Sequence, residues 1–257
     1  MYKIFKRFCN ILISGLALIL LSPIMLILAI LVRINLGGPV ILKQARVGKG
    51  GRIFMYYKFR SMSNEKDANG FLLPDEQRLK KFGRILRATS LDELPQLWNI
   101  LKGDMNLIGP RPQMIVNDIF YSKQVYKALD TTPGITGYSQ VHGRNGVSWT
   151  KRLQQDMYYV DHESLWLDIK IFFKTIKVVF EKSDIVKEQY LRYGDELLDK
   201  KLITENEYNA YRLKARELEA RCGMGEKLNI KDFALNNERD MPVVSEVEEY
   251  KSDEKSA

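Results

Sequence analysis

The chain is short of the residues that build metal clusters and disulfide frameworks: in 257 residues it has two cysteines and two histidines. Cys9 and Cys222 stand at opposite ends of the sequence, without metal-ligand spacing and without a second pair to cross-link. That excludes a disulfide-stapled secreted fold and a cysteine-rich zinc module, and it fits a reducing compartment. Internal repeats are also missing. One long stretch lacks charge altogether: residues 11–32, ILISGLALILLSPIMLILAILV, carry no ionisable side chain, and about 20 apolar residues suffice for a helix to cross a bilayer.

Positive charge is what the rest of the chain has in excess. The net charge is +8, but residues 1–184 hold 27 Lys and Arg against 15 Asp and Glu, whereas 185–257 hold 13 against 17. The basic part therefore calls for an anionic partner, which could be nucleic acid, membrane lipid or a phosphorylated substrate. No nucleic-acid-binding motif is present, and the membrane segment argues against that class. An apolar content of 45% is enough for the core of one large domain or two small ones.

The apolar segment fits a membrane helix better than a secretory signal peptide, because Arg33 follows it directly and no small-residue cleavage site appears. Lys3, Lys6 and Arg7 precede it, and Arg33, Lys43, Arg46, Lys49 and Arg52 follow. The positive-inside rule asks both flanks to stay cytoplasmic, which one crossing cannot satisfy. Ser22 and Pro23 sit at its middle, where proline deletes a backbone hydrogen bond and bends the helix. The Ser22 hydroxyl is the nearby donor for the freed carbonyl. Charge and proline leave two readings open, a single span and a hairpin that leaves by the face it entered. A second membrane-facing candidate is 165–180, LWLDIKIFFKTIKVVF, with Lys170, Lys174 and Lys177 in one stripe; the pattern suits a lipid headgroup boundary or a helix packed on a core with solvated lysines.

Residues 37–60 read as a β-hairpin around a glycine-rich turn. Residues 61–75 are a surface loop, 76–88, 92–102 and 113–130 are helical, 131–149 is a loop with four glycines, and 150–181 is helical again. Beyond Ser183 the composition turns charged and helix-favouring, and Thr204 three residues before Glu207 is a capping box. This part resembles the short helical-hairpin motif called SHOCT. The expected division is 1–36 membrane helix, 37–184 catalytic domain, 185–228 helical extension and 229–257 acidic disordered tail.

The chemistry centres on SLDELPQLWN, residues 90–99, where Asp92 and Glu93 are adjacent. Pro95 is tolerated in a first helical turn, so a helix is expected to start near Asp92, with Ser90 or Asp92 as its cap. At such a terminus the carboxylates could do no more than cap the helix. Their company suggests otherwise: Lys58 and Arg60 in KFRSM, Arg84 and Arg87 in RILRATS, Arg111 in GPRP and Arg144 in GRN. Guanidinium groups grip phosphate bidentately, and paired carboxylates can share Mg²⁺ with phosphate oxygens. The combination points to chemistry on a phosphoanhydride.

The runs GGPVILKQARVGKGGRIFMYYKFRSM, SLDELPQLWNILKGDMNLIGPRP and PGITGYSQVHGRNGVSWTKRLQQDMYYV, in that order, resemble the monotopic phosphoglycosyl transferase superfamily of bacteria, with the short PglC-type members most similar. The resemblance covers about residues 1–181. It implies an α+β, mostly helical fold with a re-entrant membrane helix kinked at Ser22-Pro23 and a small catalytic domain on the cytoplasmic face of the inner membrane, bearing a β-hairpin and interfacial amphipathic helices. It also implies transfer of a sugar 1-phosphate from a UDP-sugar to undecaprenyl phosphate, releasing UMP, with Asp92 as nucleophile and Glu93 beside it. The chemistry of the residues adds the expectation that Asp92 and Glu93 hold Mg²⁺ and that Lys58, Arg60, Arg87, Arg111 and Arg144 bind phosphate. Membrane lipid, and other glycan-pathway enzymes reached through the extension, are the further expected partners. The sequence departs from the family at His142, where many members carry Asn, and a loop hydrogen bond is the role expected of it. A non-catalytic membrane scaffold that binds anionic lipid or pathway enzymes is the alternative reading.

Overall fold

The computed structural model describes residues 2–67, 73–143, 147–180 and 192–233. It opens with a single helix, α1 (Tyr2–Leu36), which continues through Pro23. The amide that Pro23 lacks would have met the carbonyl of Ile19, four residues back. Ser22 Oγ donates to that carbonyl at 2.8 Å, so the helix passes its proline without an orphaned acceptor, as expected from the Ser-Pro pair.

One face of α1 rests on the remainder of the protein along its whole length. Lys6, Asn10 and Ser14, spaced by four, are buried near its start, and Leu28, Val32 and Leu36 are buried near its end. Asn10 Nδ2 donates to Asn106 Oδ1 at 2.7 Å, and Asn10 Oδ1 accepts from the Leu107 amide at 3.2 Å. Leu28 and Val32 pack with Phe59 and Leu86. The opposite face leaves Phe8, Leu12, Ile19, Leu20, Ile27 and Ile34 exposed, a bare apolar surface of the kind that marks contact with lipid or protein.

Strands β1 (Ile41–Val47) and β2 (Ile53–Phe59) form the expected antiparallel hairpin, Leu42 opposite Lys58, Gln44 opposite Tyr56 and Arg46 opposite Phe54. Two short helices follow, α2 (Asp75–Arg78) and α3 (Lys81–Ala88), then a 3₁₀ turn at Leu91–Glu93 and helix α4 (Gln96–Lys102). Strand β3 (Asn106–Ile108) leads to α5 (Ile115–Asp118) and a 3₁₀ segment at Val125–Leu129. The continuous helix expected over 113–130 is thus broken, because Ile119, Phe120 and Tyr121 are consecutive and all buried, which one helical stripe cannot provide.

The glycine-rich loop is also more regular than expected. It contains β4 (Gly134–Thr136), paired in parallel with β3, and α6 (Tyr138–His142). The pairing is so close that a Cβ on Gly134 would lie 2.2 Å from the Gly109 amide nitrogen; only glycine lets GPRP and PGITG lie side by side. Helices α7 (Trp149–His162) and α8 (Leu165–Phe180) come next. On α8, Leu167, Asp168 and Ile171 face inward while Trp166, Phe172 and Phe173 are exposed. Lys6 joins α1 to these helices through Tyr159 Oη at 2.6 Å, Glu163 at 3.0 Å and Asp168 at 2.9 Å.

The extension consists of α9 (Tyr193–Asp199) and α10 (Glu205–Gly223), the latter opened by the expected Thr204–Glu207 capping box. It is not a separate unit. Tyr193, Leu197, Tyr211 and Leu218 share one core with Val47, Ile115, Phe120 and Leu153. The chain stays packed past residue 229, where a disordered tail was expected to begin: Asn229 Nδ2 donates to the Gly50 carbonyl at 3.0 Å, Ile230 is fully buried, and a 3₁₀ turn spans Ile230–Asp232. Residues 234–257 of that tail lie outside the described residues.

Candidate active site

Asp92 and Glu93 occupy the 3₁₀ turn ahead of α4, not its first helical turn. Pro95 is the N-cap residue, and no side-chain cap bond is made by Ser90, which sits in the left-handed region at φ 54°. The expected capping by Ser90 or Asp92 is therefore absent: proline fixes the helix start from Pro95 onward, leaving both carboxylates free for other partners.

Helix α4 is stitched to strand β2 by Asn99, whose Nδ2 donates to the Met55 carbonyl at 2.7 Å and whose Oδ1 accepts from the Tyr57 amide at 3.1 Å. At the other end, Arg7 of α1 donates to the Ile100 and Leu101 carbonyls at 2.5 and 2.7 Å, a cation on the helix C-terminus. These contacts fix the dyad against Lys58. Asp92 is 6% exposed. Burial, and then Glu93, push its carboxyl above the usual range, while Lys58 and Arg87 pull it back. Burial, then Arg46 and Arg87, push Lys58 down to about 8, with Asp92 opposing.

Glu93 is held by Arg111, whose Nη2 donates to Oε1 at 2.7 Å. The β3–β4 pairing makes this arginine rigid: Gly134 donates its amide to the Pro110 carbonyl at 2.9 Å and Gly109 donates to Thr136 at 2.9 Å. Arg87 reaches from α3 and donates through Nε to Ser61 Oγ at 2.8 Å. Arg60 is engaged elsewhere, its Nε on the Pro39 carbonyl at 2.8 Å, with Arg78 as the charge acting on it. Arg84 turns back to the Leu79 carbonyl, and Arg144 lies outside the described residues. His142 ends helix α6 instead of sitting in a loop, and its hydrogen bonds join helices: Nδ1 donates to the Tyr138 carbonyl of its own helix at 2.9 Å, leaving Nε2 to accept from Lys174 of α8 at 2.6 Å.

Arg46, which in the sequence stands out only as one of the cations that follow the apolar segment, belongs to the site. It stacks over Tyr56 at 5.2 Å, donates to the Pro112 carbonyl at 3.2 Å, and acts electrostatically on Glu93, Arg111 and Lys58. Its signal was strand alternation: Gln44, Arg46, Tyr56 and Lys58 share one face of the hairpin. Asp118 was missed. It lines a cavity of about 20 Å³ behind Arg111, together with Asp156, Tyr121 and Thr131, enough for one water molecule. Burial pushes Asp118 up to about 8 and Asp156 up to about 7. Asp161, by contrast, is on the surface with Lys127.

The cluster thus sets two carboxylates among four cations, Lys58, Arg87, Arg111 and Arg46. Among the described residues no group of three or more His, Cys, Asp or Glu gathers to hold a metal. The two adjacent carboxylates fit magnesium in its shared mode, in which substrate phosphate and water complete the shell.

Residues 1–182 match the family of bacterial sugar transferases. The chain belongs to that family. Within it, the transferase is 42% identical over 198 residues to the uncharacterized sugar transferase EpsL of Bacillus subtilis, an alignment covering 75% of this chain and 98% of that protein. It is 43% identical over 199 residues to an undecaprenyl-phosphate galactose phosphotransferase of Salmonella typhimurium, covering 70% of this chain and 41% of the relative. A UDP-N-acetylgalactosamine-undecaprenyl-phosphate N-acetylgalactosaminephosphotransferase of Aeromonas hydrophila is 40% identical over 187 residues, covering 69% and 44%. The transferase thus spans nearly the whole of the Bacillus relative and less than half of the other two.

Proposed function

We propose that the transferase moves a sugar 1-phosphate from a UDP-sugar to undecaprenyl phosphate, leaving UMP and an undecaprenyl-diphosphate sugar as the first lipid-linked intermediate of a bacterial glycan. The observation that carries this reading is the dyad itself: a buried carboxylate beside a second one fixed by Arg111, with Lys58 and Arg87 acting on the first. In the first step an Asp92 oxygen bonds to the β-phosphorus of the donor, and the bond from that phosphorus to the bridging oxygen breaks, so that UMP leaves with the electron pair. In the second, an oxygen of the lipid phosphate bonds to the same phosphorus and the Asp92–phosphate bond breaks, restoring the carboxylate. Lys58, Arg87, Arg111 and Arg46 offset the negative charge that gathers when two anions share one phosphorus. Glu93 keeps Arg111 turned toward the reaction. A magnesium ion shared by Asp92, Glu93 and the donor phosphates would supply Lewis-acid stabilisation of the same charge.

The lipid substrate requires the site to face a membrane. The reading that α1 is a re-entrant helix, entering and leaving the cytoplasmic face of the inner membrane, is supported by its two ends, which pack on one body through Lys6 and Asn10 at the start and Val32 and Leu36 at the finish. The exposed outer face of α1 and the aromatic face of α8 would then lie in lipid, with Lys170, Lys174 and Lys177 toward the headgroups.

The test is UMP release by the purified protein across UDP-sugars with magnesium, with and without undecaprenyl phosphate, beside Asp92→Asn. Lipid-dependent release that disappears in the variant is expected, and the active donor names the sugar. Equal release by the variant would remove Asp92 as the nucleophile, and no release with any donor would shift the reading to a non-catalytic scaffold.

A further inference from the structure

The segment shared with the family ends at residue 182, yet the site's supporting elements are held from beyond it. Three observations converge. Glu196 on α9 has its side chain fully buried at the N-terminus of α7, where it accepts from the Trp149 amide at 2.6 Å, from Thr150 Oγ1 at 2.6 Å and from Lys200 at 2.6 Å. A carboxylate there satisfies amides that a helix start leaves unpaired and meets the positive end of its dipole. Asn229 seats the turn between β1 and β2 through Gly50, and the Ile53 amide donates to the Leu228 carbonyl at 2.9 Å. Phe120, which follows α5, packs at a tilt against Tyr211 with ring centroids 4.8 Å apart, and Gly194 approaches it so closely that a Cβ would meet the ring at 2.7 Å.

The elements held in this way are those that carry the site. The hairpin bears Arg46 and Lys58, α5 ends on Asp118, and α7 bears Asp156, which lines the cavity behind Arg111. Glu219 on α10 adds an electrostatic link, with Arg46 as the strongest cation acting on it. We propose that α9 and α10 are a built-in part of the catalytic unit, and that Glu196 is the positioning residue through which they hold the first turn of α7 and, behind it, the cavity wall that Asp156 and Asp118 form beside Arg111. Its catalytic consequence rests on the function proposed above; the clamp on α7 does not.

The test uses the full chain with Glu196→Ala, Glu196→Gln and Ile203→Ala. Ile203 is buried in the same core, without a polar contact to α7, and so reports loss of packing alone. Two readouts are taken well below every melting temperature: hydrogen exchange of residues 147–155, and kcat and KM for UMP release. Glu196→Ala is expected to speed that exchange at least tenfold and to lower kcat about tenfold with KM within twofold, because a small displacement of the wall that backs Arg111 acts on the transition state. Glu196→Gln, which keeps one acceptor oxygen, should recover most of both, and Ile203→Ala should change neither. Unchanged exchange in Glu196→Ala would overturn the proposal, as would an Ile203→Ala variant that reproduces both effects. If the unaltered protein releases UMP from no donor, the functional reading fails by itself and exchange alone decides the clamp.

Discussion

Two clusters in this protein are made of the same kinds of residues and behave in opposite ways. Where α1 meets α7 and α8, Lys3 and Lys6 face Glu163 and Asp168, and Tyr159 donates to Asp168 at 2.6 Å while Tyr2 donates to the same carboxylate. Its two cations and two carboxylates cancel, and the polar groups are spent on one another. At the dyad, four cations face two carboxylates, and Asp92 is desolvated without full compensation. The difference teaches that acidic and basic residues in company do not mark a site. What marks it is charge that folding has left over for a ligand to balance.

The largest effect expected from this comparison separates activity from stability. On the proposed reaction, Asp92→Asn should lower UMP release by about 10³-fold or more, since it removes the attacking carboxylate, while its melting temperature stays level or rises because a buried charge is removed. A fall in melting temperature of several degrees would place Asp92 with the closed cluster. Lys6→Met should do the reverse. It removes the buried cation that Glu163 and Asp168 share, leaving Asp168 only its tyrosine hydroxyls and Glu163 the more distant, exposed Lys3, and should cost about 3–5 kcal/mol in denaturant unfolding, with kcat of the folded fraction changed less than threefold.

A smaller effect sharpens the comparison through pH. Asp92 must be ionised to attack, and its pKa is raised, so kcat/KM should climb with pH through a value above the ordinary carboxylate range. Lys58 must be protonated to offset phosphate charge, and its pKa is lowered to about 8, so activity should decline as pH rises through about 8. In Lys58→Arg the alkaline limb should disappear from the range below pH 10, since guanidinium does not titrate there. An unchanged limb would move the assignment to another group. The smallest effect belongs to a polar group satisfied inside its own helix: Ser22→Ala should cost about 1 kcal/mol of stability and leave kcat unaltered.

Much of this was legible in the residues, for identifiable reasons. The hairpin over 37–60, the helix at 165–180 and the Thr204 cap follow from local periodicity and turn chemistry, which act within a few residues. The Ser22 bond to Ile19 was readable because proline names the carbonyl it orphans. Asp92, Glu93, Lys58 and Arg111 were readable as types in company, though not as neighbours. What escaped was set by distant packing. Arg46 joins the cluster only once β1 and β2 take their register, Arg60 leaves it because the Pro39 carbonyl captures its guanidinium, and Asp118 matters only because β3 and β4 close a cavity behind Arg111. The extension looked separable because its surface is charged, while the apolar residues that bind it to the core are scattered over 193–230.

The fastening of both ends of α1 to a single body has a consequence for the membrane itself. A helix that spans is matched to bilayer thickness, and mismatch sorts it among membranes. A helix anchored twice on one side has no far end to match. On the proposed topology the transferase should be indifferent to acyl-chain length over a range that would expel or tilt a spanning helix, and responsive instead to lateral pressure in the leaflet it enters, so that loosely packed or conical lipids admit it most readily.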